Sequence, residues 1–249
     1  MSNQLLIIDR HRGASRRALL AGAAFALALA SPALVAAEET GIRNSKHDFS
    51  RSGSGNMWGS QDTNQLCVFC HAPHRALSTQ FLWNRNLPAS TAFSIYTSES
   101  MDAVAVQPKS ASLRCLSCHD GSVAIDAFNA GRTFTPRMPS IGDIYFPGSP
   151  YGWAGANIGN NYGGNAGNDL TDDHPVSFIY DASIAARDGQ LQSPDNVESA
   201  GLPLFGPDPS ARSVECSTCH EVHRKFANKY LLRIDVEDAS NLCRTCHLK

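Results

Sequence analysis

The chain has 249 residues, 42% of them apolar, with a formal net charge of −2, a size that suits one or two domains. The four arginines and one aspartate of residues 1–37 account for +3, so the remainder carries −5, which argues against nucleic acid as a partner. Charges of both signs are interspersed, so no acidic tail or basic arm stands out.

Residues 1–37 have the layout of a secretory signal peptide. Arg10, Arg12, Arg16 and Arg17 form a basic start, Ala18 to Ala30 is an uncharged apolar run, Pro32 breaks it, and Val35 to Ala37 offers small residues for cleavage before Glu38. The rival reading is an uncleaved anchor, because Ala18 to Ala37 is uncharged and about long enough to cross a bilayer. Its alanine content and its proline make it only modestly apolar, which favours cleavage. No other long apolar run follows. Residues 38–249 are therefore expected to be one exported domain with no permanent membrane span.

His47, in "NSKHDFS", lies near the start of that domain on an arm containing Gly and Ser. Next comes "CVFCHAPH" (67–74), where His71 completes a Cys-x-x-Cys-His unit and His74 follows it. "FSIYTS" (93–98) suits a short strand. "CLSCH" (115–119) is a second unit. "YGWAGANIGNNYGGNAGND" (151–169) reads as a Gly/Asn-rich surface loop that separates the units into two pairs, a mark of two lobes within one domain. "DDHPVSF" carries His174; Pro175 biases its backbone toward extended geometry, and Asp172 and Asp173 are placed to hydrogen-bond its imidazole. "VSFIY" (176–180) is another candidate strand. "CSTCHEVH" (216–223) repeats the first arrangement with His220 and His223. "DASNLCRTCH" ends in the fourth unit, Cys243 to His247, with Asp238 or Ser240 to cap a short helix.

All eight cysteines fall in these four units: Cys67 and Cys70, Cys115 and Cys118, Cys216 and Cys219, Cys243 and Cys246. Disulfides, zinc sites and a redox dithiol all use Cys-x-x-Cys pairs. None of them explains why histidine follows every pair. With 9 histidines in 249 residues, four such coincidences have a chance on the order of one in a million. Cys-x-x-Cys-His is the attachment signature of c-type haem: the two sulfurs form thioethers to one side of the porphyrin, and the histidine is held beneath the iron. Four covalent haems follow, with His71, His119, His220 and His247 as proximal ligands and no cysteine left for a disulfide.

Beyond residue 37, four histidines remain, His47, His74, His174 and His223, one for each open axial position. The competing ligand is methionine, represented by Met57, Met101 and Met138. An open iron would suit an enzyme. His74 cannot share an iron with His71: trans-axial histidines need Cα atoms roughly 13 Å apart, allowing about 2 Å per metal–nitrogen bond, whereas three residues span at most about 10 to 11 Å. If they are ligands, His74, and by the same reasoning His223, must reach a different haem, drawing two haems together; the alternative is that both are surface residues beside a haem. Phe69, Trp83, Tyr96, Phe128, Phe178 and Tyr180 suit either porphyrin faces or ordinary packing.

Weak helical periodicity, 19 Gly and 13 Pro point to a mostly irregular coil, with a few short helices and minimal strand, wrapped around haems that replace a side-chain core. "CVFCHAPH", "FLWNR" (81–85), "CLSCHDGSVA" (115–124), "DLTDDHPVSF" (169–178) and "CSTCHEVH" resemble the multihaem cytochromes c of metal-reducing and other anaerobic-respiring microbes. With four haems and this histidine order, the chain resembles the extracellular tetrahaem cytochromes that polymerise into filaments. The resemblance implies bis-histidine irons, a continuous haem stack, and one axial histidine donated by a neighbouring subunit, with His47 at the matching position. The implied role is electron transfer at the cell surface, with self-association and with other cytochromes, redox proteins or extracellular electron acceptors as partners. A monomeric periplasmic shuttle fits the same ligands. A nitrite- or hydroxylamine-converting enzyme needs an open iron, and a quinol-oxidising cytochrome needs the signal segment to remain as an anchor.

Overall fold

The computed structural model describes residues 41–53, 59–74, 76, 81–89, 93–120, 134, 168–223, 229–235 and 240–248. The signal segment, Met57, Phe128, Met138, residues 121–124 of the second motif's extension and residues 151–167 of the Gly/Asn loop lie outside them. Among the described residues the chain is mostly coil, with short helices and one two-stranded sheet.

Among the described residues five α-helices are present: α1 Ser110–His119, α2 Ala182–Asp188, α3 Pro194–Ser199, α4 Cys216–Cys219 and α5 Asn241–Cys246. The helices away from the cysteines carry local start and stop signals. Asp181 caps α2 by accepting from the N–H of Ser183 and Ile184, and Gly189 ends it at φ 69°, a left-handed geometry that glycine adopts without a Cβ penalty. Ser193 caps α3 by accepting from Asn196 N–H, with Pro194 at the first helical position. At α5 the expectation fails in part: Ser240 occupies the cap position, but its hydroxyl makes no capping bond, and Asp238 lies outside the described residues.

The expected strands are shorter than the sequence suggests. Within 93–98 only Ser94–Ile95 forms a strand, β1. It pairs in parallel with β2, Asp169–Leu170, in the register Ser94↔Asp169 and Ile95↔Leu170. Residues 176–180 form no strand. They run against the segment before the third motif instead, through Ser177 N–H to Val214 O (2.6 Å), Val214 N–H to Phe178 O (3.1 Å) and Tyr180 N–H to Arg212 O (2.8 Å). Ser177 sits at φ 62°, which interrupts the pleat and stops the pairing from propagating.

The apolar core is small and divided. Phe178, Tyr180, Val197, Leu202, Leu204 and Val214 form one buried cluster, with Leu242 and Cys246 packed against it. This cluster seats α5, and therefore the fourth motif, on α3. Phe93, Leu116 and Leu170 form the second, with Ile95 and Leu113 beside them, joining the sheet to α1 and the second motif. Phe178 and Tyr180 thus belong to the protein's own core, and the Tyr180 hydroxyl donates to Gln192 O at 2.8 Å. Phe69 packs on Phe49 and Phe134, with centroids 5.7 and 5.1 Å away.

Candidate haem-binding site

Each cysteine pair sits on a helical turn, which brings residues i and i+3 to one face. The turns are a 3-10 turn at Cys67–Phe69, the last two turns of α1, the single turn of α4, and α5. All eight cysteines are free thiols, and among the described residues no three His, Cys, Asp or Glu side chains converge on a metal-sized point. Burial pushes the Cys70 thiol up to about 12 and Cys246 up to about 11, and raises Cys118 and Cys219 as well. At neutral pH these four thiols stay protonated.

The four motifs are gathered together. Arg85, 2% exposed, donates to Ser117 O at 3.2 Å, tying the segment after the first motif to α1. Cys115 and Cys216 share a hydrogen bond that raises the first thiol and lowers the second, joining the second motif to the third.

Two histidine pairs form. His71 and His223 have ring centroids 6.2 Å apart, with planes 13° from parallel. His47 and His119 have centroids 6.0 Å apart at 50°. Two imidazoles on opposite sides of one metal ion, each with a metal–nitrogen bond of about 2 Å and its ring centre about 1 Å further on, stand roughly 6 Å apart. Both pairs match that separation. His47 Nδ1 is buried without a hydrogen-bond partner. Burial first, then the charges of His119 and His220, pull its pKa down to about 4, so the ring is the neutral form that binds metals. The resemblance places His47 as a donor to a neighbouring subunit; in this chain its arm brings it against His119.

The first and third motifs are built alike, at a constant offset of 149 residues. His71 Nδ1 lies 2.6 Å from Phe81 O, and His220 Nδ1 lies 3.0 Å from Tyr230 O. Ala72 N–H donates to Leu82 O and Glu221 N–H to Leu231 O; Asn84 N–H donates to Cys70 O and Arg233 N–H to Cys219 O. The side chains correspond too: Asn84 Nδ2 donates to Val68 O at 2.6 Å and Arg233 Nε to Ser217 O at 2.9 Å. At each turn two residues take left-handed geometry, Phe81 and Leu82 (φ 62° and 50°) and Tyr230 and Leu231 (φ 57° and 58°). The carbonyl holds Nδ1–H and leaves Nε2 facing outward, which sets the tautomer and orientation of a metal-binding imidazole. The sequence reading missed these carbonyls. The signal was present in aligned "CVFCHAPHRALSTQFLWNR" and "CSTCHEVHRKFANKYLLRI", which share both cysteines, both histidines, Arg75 and Arg224, and Leu82 and Leu231.

Among the remaining residues, His74 is exposed and no ring contact to it is seen among the described residues. His174 is also exposed and lines a small apolar cavity with Tyr96, Leu116, Asp173 and Cys216. Its Nδ1 lies 2.9 Å from Pro175 O, so the expected bond to Asp172 or Asp173 is replaced by one to a neighbouring backbone carbonyl. His247 forms a backbone bridge with Leu191. Met101 stands in a turn closed by its own N–H to Ser98 O. A carboxylate does hold one spare histidine: Glu221 Oε1 lies 3.0 Å from His223 Nδ1, and its other oxygen is 3.2 Å from Arg233. Beside the histidines, Phe81, Leu82 and Tyr230 are 51%, 44% and 77% exposed. That is apolar surface of the kind a bound porphyrin covers, so the residues present fit the group.

Residues 209–249, which contain the third and fourth motifs, match the family model described as a doubled CXXCH motif. No curated protein matches the chain. A doubled haem-binding motif indicates a multihaem c-type cytochrome with covalently bound haem, and so a part in electron transfer.

Proposed function

We propose that the chain is an exported electron-transfer protein carrying four c-type haems, each iron held between two histidines. His71, His119, His220 and His247 serve as proximal ligands, and His47, His74, His174 and His223 as distal ones. The eight motif cysteines, Cys67, Cys70, Cys115, Cys118, Cys216, Cys219, Cys243 and Cys246, attach the porphyrins. When bound, the haem supplies a one-electron iron couple. The polypeptide supplies oriented imidazoles and a carboxylate that steadies one of them. A histidine of the third motif standing at the proximal residue of the first draws those motifs together, and short separations favour electron exchange.

The observation that carries this reading is the roughly metal-spanning separation of His71 from His223 and of His47 from His119. Because His47 meets a histidine of its own chain, it supports a self-contained carrier passing electrons between redox partners. The filament, with His47 donated to a neighbouring subunit, becomes the alternative outcome of the test. Among the described residues no helix is long and apolar enough to cross a membrane; the apolar stretch of the signal segment lies outside them.

The test is intact mass and optical spectroscopy of the matured protein, with its assembly state read by electron microscopy. Four haem additions, low-spin spectra in both oxidation states and isolated particles are expected. Fewer additions in fully matured protein would overturn the haem count. Filaments would transfer His47 to the neighbouring subunit.

A further inference from the structure

Glu215, immediately before Cys216, is 1% exposed. Ser112 Oγ of α1 donates to its Oε2 at 2.5 Å, Ser177 Oγ donates to the same oxygen at 2.8 Å, and Ser213 Oγ donates to Oε1 at 2.9 Å. Among the described residues its carboxylate accepts from these hydroxyls and, in a capping box at the start of α4, from the Thr218 backbone N–H, and from no cation. The hydroxyls are themselves anchored. Ser112 Oγ accepts from Cys216 N–H at 3.1 Å, and Ser177 Oγ accepts from Lys109 N–H at 3.1 Å. Glu215 N–H donates to Thr218 Oγ1 at 2.9 Å. The carboxylate is therefore fixed where α1, the segment after His174 and α4 meet. Arg114, 8% exposed, is close enough to feel its charge. So are the thiols of Cys115 and Cys216.

Glu215 caps α4, but burying its carboxylate carries a desolvation cost that these donors only partly offset. A buried negative charge beside a redox centre stabilises its more positive, oxidised state, and a low local dielectric lengthens the reach of that effect.

We propose that Glu215 is a built-in electrostatic tuner that lowers the reduction potential of the haems attached at Cys115 and Cys216 relative to the others in the chain. The proposal rests on the haem reading above. Electrons entering the chain are then biased away from the second and third motifs, which gives the haem set a preferred occupancy set by the polypeptide.

The experiment is spectroelectrochemical titration of the haem-loaded protein and of Glu215→Gln, with haem content measured by intact mass in each. Glutamine suits the site. Its carbonyl oxygen takes the two bonds from Ser112 and Ser177, and its NH2 donates to Ser213 Oγ, which retains Phe205 O at 2.8 Å as an acceptor. Two of the resolved waves should move positive by about tenfold in the oxidised-to-reduced ratio, or about 59 mV for a one-electron couple. Low-spin spectra and haem count should stay unchanged. Glu215→Asp, which keeps the charge, should restore the original potentials. Ser213→Ala, which loosens the network but keeps the carboxylate, should not reproduce the positive shift. Unmoved potentials in a fully loaded Glu215→Gln protein would overturn the proposal while leaving the haem reading intact. An equal positive shift in Ser213→Ala would overturn it in favour of packing. A protein without haems at the second and third motifs would overturn the haem reading itself.

Discussion

His47 lies against His119 of the same chain, ring centroids 6.0 Å apart at 50°, although 72 residues separate them in sequence. If this pair grips one iron, His47→Ala should leave the covalent haem count unchanged and open one axial position. A high-spin absorbance feature and carbon monoxide binding to one haem should appear, independent of protein concentration. A signal that appears only when an assembly is dissociated would assign His47 to a neighbouring subunit.

The arm carrying His47 is held by Asp48. Its Oδ2 accepts from Asn44 N–H at 2.7 Å, and its Oδ1 accepts from Ser50 N–H at 3.0 Å and Ser50 Oγ at 2.5 Å. Gly53 closes the loop where a Cβ would come within 2.6 Å of Asp48. Asp48→Ala should loosen this turn by about 1 to 2 kcal/mol, the usual loss for a capping carboxylate. Hydrogen exchange of residues 45–53 should quicken, and the high-spin signal of His47→Ala should appear in part.

Acid should release the same arm in two stages. In the haem-free chain, His47 has its pKa lowered to about 4 in the docked arm against about 6.5 in a free one. The undocked form therefore takes up the proton first, and docking weakens as pH falls from about 6.5 to about 4, by up to about tenfold per pH unit. Burial alone would raise the Asp48 pKa, but the bonds from Ser50 and Asn44 outweigh it and hold it below 3.8. Its contribution stays in place above that value and is lost as pH falls through its lowered pKa. Protection factors of the 45–53 amides against pH, with His47→Gln lacking the first stage, check the assignment.

Glu221 steadies His223 at 3.0 Å, whereas the equivalent place in the first motif holds Ala72. Glu221→Ala should weaken His223 as a ligand and raise the affinity of one haem for an added ligand such as cyanide about tenfold or more, the scale seen when a carboxylate behind a metal-binding histidine is removed. Cyanide titration followed by absorbance reads this. No change would show the contact to be incidental.

Tyr230 and Leu231 hold left-handed backbone with φ near 57° and 58°, a geometry that costs an ordinary side chain roughly 1 to 2 kcal/mol. Leu231→Gly should be neutral or mildly stabilising in urea unfolding, and Leu231→Val should be destabilising by about 1 kcal/mol or more. The proximal contact between His220 and the Tyr230 carbonyl should survive the first change and weaken in the second.

The cofactor chemistry and the coil-rich character were legible in the chain itself. Cys-x-x-Cys-His is a local motif: its chemistry needs only residues within one helical turn, so Cys67 to His71 and its three counterparts state it without any tertiary contact. A sequence poor in helical periodicity and rich in Gly and Pro could not hide long elements. What only the tertiary structure decided were the relationships between distant residues. The shared Cys-x-x-Cys-His-x-x-His spacing does not tell His223, which meets His71, from His74, which meets no other ring among the described residues. The partner depends on where two return segments carry their histidines. The inward turn of His47 depends on Asp48 and Gly53 closing a loop, and Glu215 gains its place from serines 103, 38 and 2 residues away. The carbonyls of Phe81 and Tyr230 escaped the sequence reading because any residue supplies a carbonyl. Only the paired left-handed turns aim them at His71 and His220.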